Sequence, residues 1–448
     1  MRSEGRKVPM RGRRVLPPAA LVCCLLAWLL TAGPAQAASR AAEPDPAPGA
    51  AQAAAGQTRL TAAGAQVVLD GPVFNDPAAG PASGAATAAQ RAVFDQLIGL
   101  IDAVPSGERI RLAMFEWVAG ASGAPQQVAE RLIAAHDRGV DVQLVLNTSA
   151  KNQPMRDLLD AALGHDESAA SWVVGCGDYA SSARGCLARN YSHEKFALFS
   201  RVAWADGTST QNVVWQSSSN LTDWYVFTSY NDAYTLADAA IHQAYQTHFG
   251  DLQAGRRSAV DPDYFWATPS GSTYKALFYP RALGTGDPVV NVLRGIECSY
   301  QDGGSTHQTD IRLVISSFTG NRQAIADELL RLRGENCWID VVYAAQGIES
   351  DVLSTLRRTA SNGKEIQLTP CTHDVAAGHE VRPHAKVMLT DGFYDDDLVP
   401  RVYTGSANFT HLENSDDSQL RIMGRQVHDA YLSWFYDLRA ACQAGAAA

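Results

Sequence analysis

Apolar residues in this chain follow two kinds of pattern that take turns along it. Over 86–103, 125–138 and 153–163 they return every three or four positions, the period of a helix with one buried stripe. Short apolar runs over 109–117, 140–146, 196–199 and 212–215, bounded by polar or small residues, predict strands. A helical pattern over 237–253 closes this set. The same order then returns: helices over 287–296, 322–333 and 349–360 interleave with strands over 311–317, 338–343 and 365–368. Strands over 387–389 and 402–404 follow, and a helix over 426–441 comes last.

Strands that alternate with helices predict an α/β sandwich in each half. Some strands must run antiparallel, because 196–199 and 212–215 follow one another with no helix to carry the chain back. The expected body is therefore two similar lobes with mixed sheets, 66–255 and 273–442. A connector over 256–272, with Arg256-Arg257 and several Gly, Pro and Ser, joins them. A repeated element order arises by chance in long α/β chains, so a duplication needs a second sign.

That sign is chemical. His193-Glu194-Lys195 is followed by Ser218-Ser219-Asn220, and His384-Ala385-Lys386 by Gly405-Ser406-Ala407-Asn408. The chain has six lysines, and two of them fall at the same place in a duplicated pattern. A histidine, a lysine and an asparagine, each supplied twice, suit cleavage of a phosphodiester. One imidazole attacks phosphorus, the other protonates the leaving oxygen, and the cations and amides hold the phosphoryl oxygens. A lone His or Lys at a strand end is more often a surface or hydrogen-bonded core residue, and the duplicated spacing reverses that weighting. Ser218 and Ser406 read as braces rather than nucleophiles, since no Gly-x-Ser-x-Gly elbow surrounds either.

With these residues in view, the chain resembles the phospholipase D superfamily, whose signature is His-x-Lys, then four residues and Asp, then Gly-Ser-x-Asn, usually present twice. The second copy matches throughout: His384, Lys386, Asp391, Gly405, Ser406 and Asn408. The first departs twice, with Ser200 in place of the Asp and Ser217 in place of the Gly. The resemblance implies two α/β lobes related by a pseudo-twofold axis, with His193 and His384 facing each other across it. One histidine becomes phosphorylated, His193 by the family's usage, and the other is general acid and then base. Lys195, Lys386, Asn220 and Asn408 would bind the phosphoryl oxygens without a metal or other cofactor. The family also places a carboxylate shortly after the Ser/Asn step to hold each imidazole, a role expected here of Asp232 and Asp417. Asp391 reads as a structural brace, because seven residues along a strand span roughly 23 Å, and Ser200 then need not disable the first copy.

The remaining features bear on setting. Arg2, Arg6, Lys7, Arg11, Arg13 and Arg14 precede an apolar run over 19–30 and a small-residue step at Ala35-Gln36-Ala37, which reads as a secretory signal peptide over 1–37. A permanent anchor is the competing reading, but the run is short for a span. An Ala/Pro-rich flexible leader over 38–65 is expected next. Loss of the six cations and one anion of the signal takes the formal charge from −10 to −15, which argues against a polyanion-gripping surface. Six cysteines remain, an even number suited to disulfides outside the cell. Cys176 and Cys186 bracket a short loop, Cys298 and Cys337 each end a helical stretch before a strand, and Cys371 and Cys442 pair by elimination. Zinc is the alternative, without CxxC spacing to support it.

The leading expectation is a secreted phospholipase D-like phosphodiesterase that hydrolyses a phospholipid at a membrane surface to phosphatidate and a head-group alcohol, acting as a peripheral monomer. An extracellular nuclease with the same chemistry comes second. A binding protein whose first copy has decayed comes third. Trp224, Tyr225, Phe227 and Tyr230 suggest either a lipid-facing rim or packing under the Asn220 loop. Asp395-Asp396-Asp397 suggests a solvated hairpin tip more than a calcium site.

Overall fold

The computed structural model describes residues 56–282 and 284–445. The signal-peptide expectation and most of the leader fall outside them. Within the leader, Gln57–Leu60 is not loose chain but a strand, paired antiparallel with Gln66–Leu69. Leu60 is half-exposed and the strand presents little apolar surface, so the composition gave no strand signal there.

Two mixed sheets organise the body. The first runs in the order 71–74, 232–237, 209–217, 195–203, 109–114, 141–146, 172–175. The second runs 266–267, 274–279, 415–423, 401–405, 387–391, 310–315, 338–343, 367–370. From 71–74 and 274–279 onward the two sheets repeat the same order. The sense repeats too: antiparallel neighbours up to 109–114 and 310–315, then parallel ones. The α/β class and mixed sheets are as the patterning predicted, with boundaries moved by a few residues. The strand expected over 109–117 ends at Met114, because the chain leaves the sheet to line the site with Phe115 and Glu116.

Strand alternation sorts the side chains into layers. Along Lys195–Ala203, Phe196 and Leu198 face one core while Ala197 and Phe199 face another. The outer core of the first sheet lies under Ala88–Asp102, Ala124–Asp137 and Gln153–Leu163. That of the second lies under Pro288–Arg294, Gln323–Gly334 and Ser350–Leu356. The inner faces share a single core, in which Phe196, Tyr234 and Phe249 meet Phe278, Val387 and Tyr431. Helices Ala239–Gly255 and Arg425–Gly445 close this layer. Each full burial of such a side chain is worth ~1.5–3 kcal/mol, so neither half stands independent of the other.

Three disulfides join Cys176 to Cys186, Cys298 to Cys337 and Cys371 to Cys442. The last ties the end of strand 367–370 to the final helix. Arg256, expected in the connector, is buried and paired with Glu167. Among the described residues no helix is long and apolar enough to cross a membrane.

Candidate active site

Each histidine motif is docked onto the opposite half by a two-residue parallel pairing. Tyr191 and Ser192, just before His193, pair with Ser415 and Asp416. Ser229 and Tyr230 pair with Arg382 and Pro383, just before His384. The backbone N–H of His193 donates to the Asp416 carbonyl (2.8 Å) and that of His384 to the Tyr230 carbonyl (2.9 Å). Asp416 fastens the first pairing further. Its carboxylate accepts the backbone N–H groups of Cys186, Leu187 and Ala188 at 2.6, 3.0 and 2.6 Å, directly after the Cys176–Cys186 bridge.

His193 is 7% exposed, and its Nδ1 lies 2.8 Å from Asp417 Oδ1. Asp417 also accepts the Ser406 hydroxyl at 2.7 Å and the Ser415 hydroxyl. A carboxylate locked in this way orients the imidazole and leaves Nε2 for chemistry. Phe115 and Tyr191 present their rings to His193, with centroids 5.0 and 5.9 Å away.

His384 has different company. Its Nδ1 lies 3.1 Å from Asn231 Oδ1, and Lys386 Nζ lies 3.0 Å from both ring nitrogens. Trp224 and Tyr225 approach edge-on at 5.5 and 5.0 Å. The expectation that Asp232 would hold an imidazole is corrected here. Its fully buried carboxylate turns to the Thr404 hydroxyl and to Tyr431 (2.9 Å), because it points into the shared core on the face of the strand away from His384.

The lysines occupy matching places. Lys195 Nζ donates to the His193 carbonyl at 2.7 Å, and Lys386 Nζ donates to the His384 carbonyl. Asn220 is buried between Tyr225 and the Glu116 backbone N–H, which donates to its side-chain oxygen at 3.3 Å. Asn408 is half-buried with Oδ1 unpaired. Ser218 and Ser406 brace the strands behind: Asp232 N–H donates to Ser218 Oγ and Ser418 N–H to Ser406 Oγ, each at 3.0 Å. Asp391 stands at the far end of its strand, where both oxygens meet Arg425 at 2.5 and 2.8 Å. Ser200 stands at the matching position within its longer strand, accepting from the Arg109 backbone at 2.8 Å and donating to Glu108 at 2.6 Å.

The two motifs share one electrostatic environment. Burial, then Lys195, press His193 down to about 4, with Asp417 and its hydrogen bond partly opposing. Burial, then Lys386, Lys195 and His193, press His384 well below the usual imidazole range. Lys195 falls to about 7 by burial, and burial with Lys195 nearby lowers Lys386 further. Burial would raise Asp417, but His193, its hydrogen bond and Lys195 outweigh that and hold the carboxyl below its ordinary value. Burial thus works against the charged forms of all four groups, and an anion entering between the motifs would supply the counter-charge that favours the protonated lysines.

Of the four aromatics suggested for a rim, only Trp224 stays half-buried beside the site, with the Arg382 guanidinium 5.2 Å from its ring. Tyr225, Phe227 and Tyr230 are buried packing. Asp395 and Asp396 are exposed in a turn of left-handed backbone, the hairpin-tip reading. Sequence reasoning missed Phe115, Glu116, Tyr191 and Asn231. Phe115 and Glu116 lie inside the strand predicted over 109–117, Tyr191 just before the first motif and Asn231 just before Asp232, but nothing in the spacing marked them. It also missed the buried Glu194, which bonds His248 at 2.7 Å and Ser418 at 2.6 Å behind the site.

Residues 100–253 match the family model described as "Cardiolipin synthase, PLD-like domain", so the expected phospholipase D resemblance is borne out over the first half. No curated protein matches the chain. Among solved structures it is similar to a polyphosphate kinase from Porphyromonas gingivalis (14% identity, TM-score 0.49, 77% of this chain and 48% of that one). It thus spans just under half of that kinase. It is also similar to a phosphatidylserine synthase from Haemophilus influenzae Rd KW20 (11%, 0.48, 78% and 84%). The phospholipase D family member Nuc from Salmonella typhimurium is a third (19%, 0.26, 39% and 94%).

Proposed function

We propose that this phospholipase D-like chain is a phosphodiesterase that acts on a phospholipid, releasing the head-group alcohol through a phosphohistidine. The observation that carries the proposal is the reciprocal docking of the two motifs. It gathers His193, Lys195, His384 and Lys386 into one cluster whose members feel each other's charge, with Asp417 reaching across to His193. In the proposed reaction, His193 Nε2 attacks phosphorus while His384 protonates the leaving oxygen. His384 then takes a proton from the water that displaces the phosphohistidine. Lys195 and Lys386, with Asn220 and Asn408, stabilise the charge that builds on the equatorial oxygens. Lipid as the substrate rests on the expected export, the acidic overall charge and the aromatic lining from Phe115, Tyr191 and Trp224.

The test sets choline release from phosphatidylcholine vesicles beside plasmid degradation across a salt series, for wild type and His193→Ala. Released choline that disappears in the variant supports the proposal. Degraded plasmid beside intact vesicles replaces it with a nuclease, and no turnover of either leaves the binding-protein reading.

A further inference from the structure

The sheet register assigns the two imidazoles unequal partners. Gly405 pairs with Gln419 and Ser217 with Ala233. Two residues back from each lie Asp417 and Asn231, so Asn231 holds the place of Asp417. The serine braces give the same offset, because Ser406 receives the Ser418 N–H where Ser218 receives that of Asp232. The pairings between the halves give it a third time. Ser192 opposite Asp416 leads His193 to Asp417, and Pro383 opposite Tyr230 leads His384 to Asn231. The carboxylate at 232 is one residue out of register and faces the other side of its strand.

We infer that Asn231 is a positioning residue that fixes His384 in one tautomer and withholds from it the negative charge that Asp417 gives His193. This rests on the phosphodiesterase reading and assigns the roles within it. The side chain of Asn231 has one allowed orientation. Its Nδ2 lies 2.8 Å from the Ser229 carbonyl, which can only accept, and 2.8 Å from Ser229 Oγ. Asn75 clamps the same turn, accepting the Asn231 backbone N–H at 2.7 Å and donating to the Ser229 carbonyl at 3.0 Å. Oδ1 therefore faces His384. An amide oxygen cannot donate, so His384 Nδ1 carries the hydrogen toward Asn231, and of the two ring nitrogens 3.0 Å from Lys386 Nζ it is Nε2 whose lone pair accepts from the lysine until substrate enters.

The other groups around His384 do not replace the missing charge. Lys386 on its own strand, Lys195 and His193 from the first motif, the edges of Trp224 and Tyr225 and the uncharged Ser218 carbonyl, whose hydrogen bond opposes the lysines only in part, surround it. Asp417 is engaged by His193, and Asp232 by Thr404 and Tyr431. An imidazole held by an amide among cations is a weak base and, once protonated, a strong acid. His193, held by a carboxylate, stabilises the positive charge that forms when its Nε2 bonds phosphorus. The N–P bond forms as the P–O bond breaks, and the departing oxygen takes the Nε2 proton of His384. Water then attacks phosphorus, returns a proton to His384 Nε2, and the N–P bond breaks. The first half-reaction waits on the small protonated fraction of His384. Alkyl diesters, whose leaving group needs that proton, are cleaved faster as pH falls toward the protonation of His193, while p-nitrophenyl diesters depend on it less.

Two readouts test this on the full chain. In histidine-labelled protein, NMR titration with His384→Ala for assignment gives the pKa of His384. The kcat/KM profile with an alkyl and a p-nitrophenyl diester gives its kinetic counterpart. Asn231→Asp should raise the His384 pKa by about one unit or more and move the alkaline limb of the alkyl-ester profile upward by the same amount. An unmoved pKa overturns the inference, and so does a moved pKa with an unmoved limb. Should Asp at 231 prevent folding, Asn231→Ala leaves Ser229 to Asn75, and the His384 nitrogen shifts should lose the Nδ1–H signature. Unchanged shifts overturn it. A wild type that cleaves no diester at any pH overturns the phosphodiesterase reading instead, and the titration then still decides whether Asn231 sets the proton affinity of His384.

Discussion

The two halves repeat one strand order, and of three differences in and beside their motifs the two that break the sequence signature are the ones that touch neither imidazole. Ser200 stands where the second half has Asp391, but both lie well along their strands from the histidines, in polar contacts of their own. Ser217 stands where the second half has Gly405. Gly405 needs to be glycine because its φ is 147° and a Cβ would run into the Ser418 carbonyl. Ser217 is not among the positive-φ residues, and its hydroxyl donates to the Asp232 carbonyl at 2.7 Å instead. The third difference, Asn231 against Asp417, lies outside both motifs and touches an imidazole. Motif completeness is thus a poor measure of which half is chemically stronger. Contact with the rings is the better one.

The sharpest way to break this comparison is to remove its two ends in turn. His193→Ala should lose on the order of 10⁴-fold or more in kcat/KM. His384→Ala should lose about 10²–10⁴-fold, and less with a p-nitrophenyl diester than with an alkyl one. Phosphoenzyme trapping in the His384 variant should still label His193, and label on residue 384 in the wild type would reverse the assignment. Next come the lysines. Lys195→Met and Lys386→Met should each cost about 10²–10³-fold in kcat, measured under saturating diester.

Stability reports on the buried imidazole of the first half by a different route. The folded-state pKa of His193 lies near 4, below its unfolded value of about 6.5. The unfolded chain therefore binds that proton first, and stability is lost as pH falls through about 6.5 to 4. Asp417, whose folded pKa is depressed, adds loss in the same direction at the acid end. Denaturant titrations should show wild type losing about 2–3 kcal/mol more than His193→Asn between pH 7 and 4, and parallel curves would contradict the buried neutral imidazole. The smallest effects belong to Ser200 and Asp391. Ser200→Asp should leave kcat/KM within about twofold, and Asp391→Asn should cost about 0–1 kcal/mol, the usual worth of an exposed pair. A gain in activity on restoring Asp at 200 would show that the motif's carboxylate acts on the site after all.

Much of this was legible from the chain. Short apolar runs and period-three-to-four patterns placed the strands and helices that carry the site, and the duplicated spacing singled out His193, Lys195, His384 and Lys386. Strand Gln57–Leu60 was not legible, since its residues bury little apolar surface. The partner of His384 was misassigned by one position. Asp232 is the carboxylate nearest the expected place, yet a single-residue step along a strand turns a side chain to the opposite face.

The order of residues alone decided the α/β class, the repeat and the identity of the groups that do chemistry, because periodicity and covalent neighbours are local properties. Which acceptor meets which imidazole was decided only when Tyr191-Ser192 lay against Ser415-Asp416 and Ser229-Tyr230 against Arg382-Pro383. Those contacts span more than 150 residues of chain, and their register is set by packing of the shared core, which no local pattern encodes.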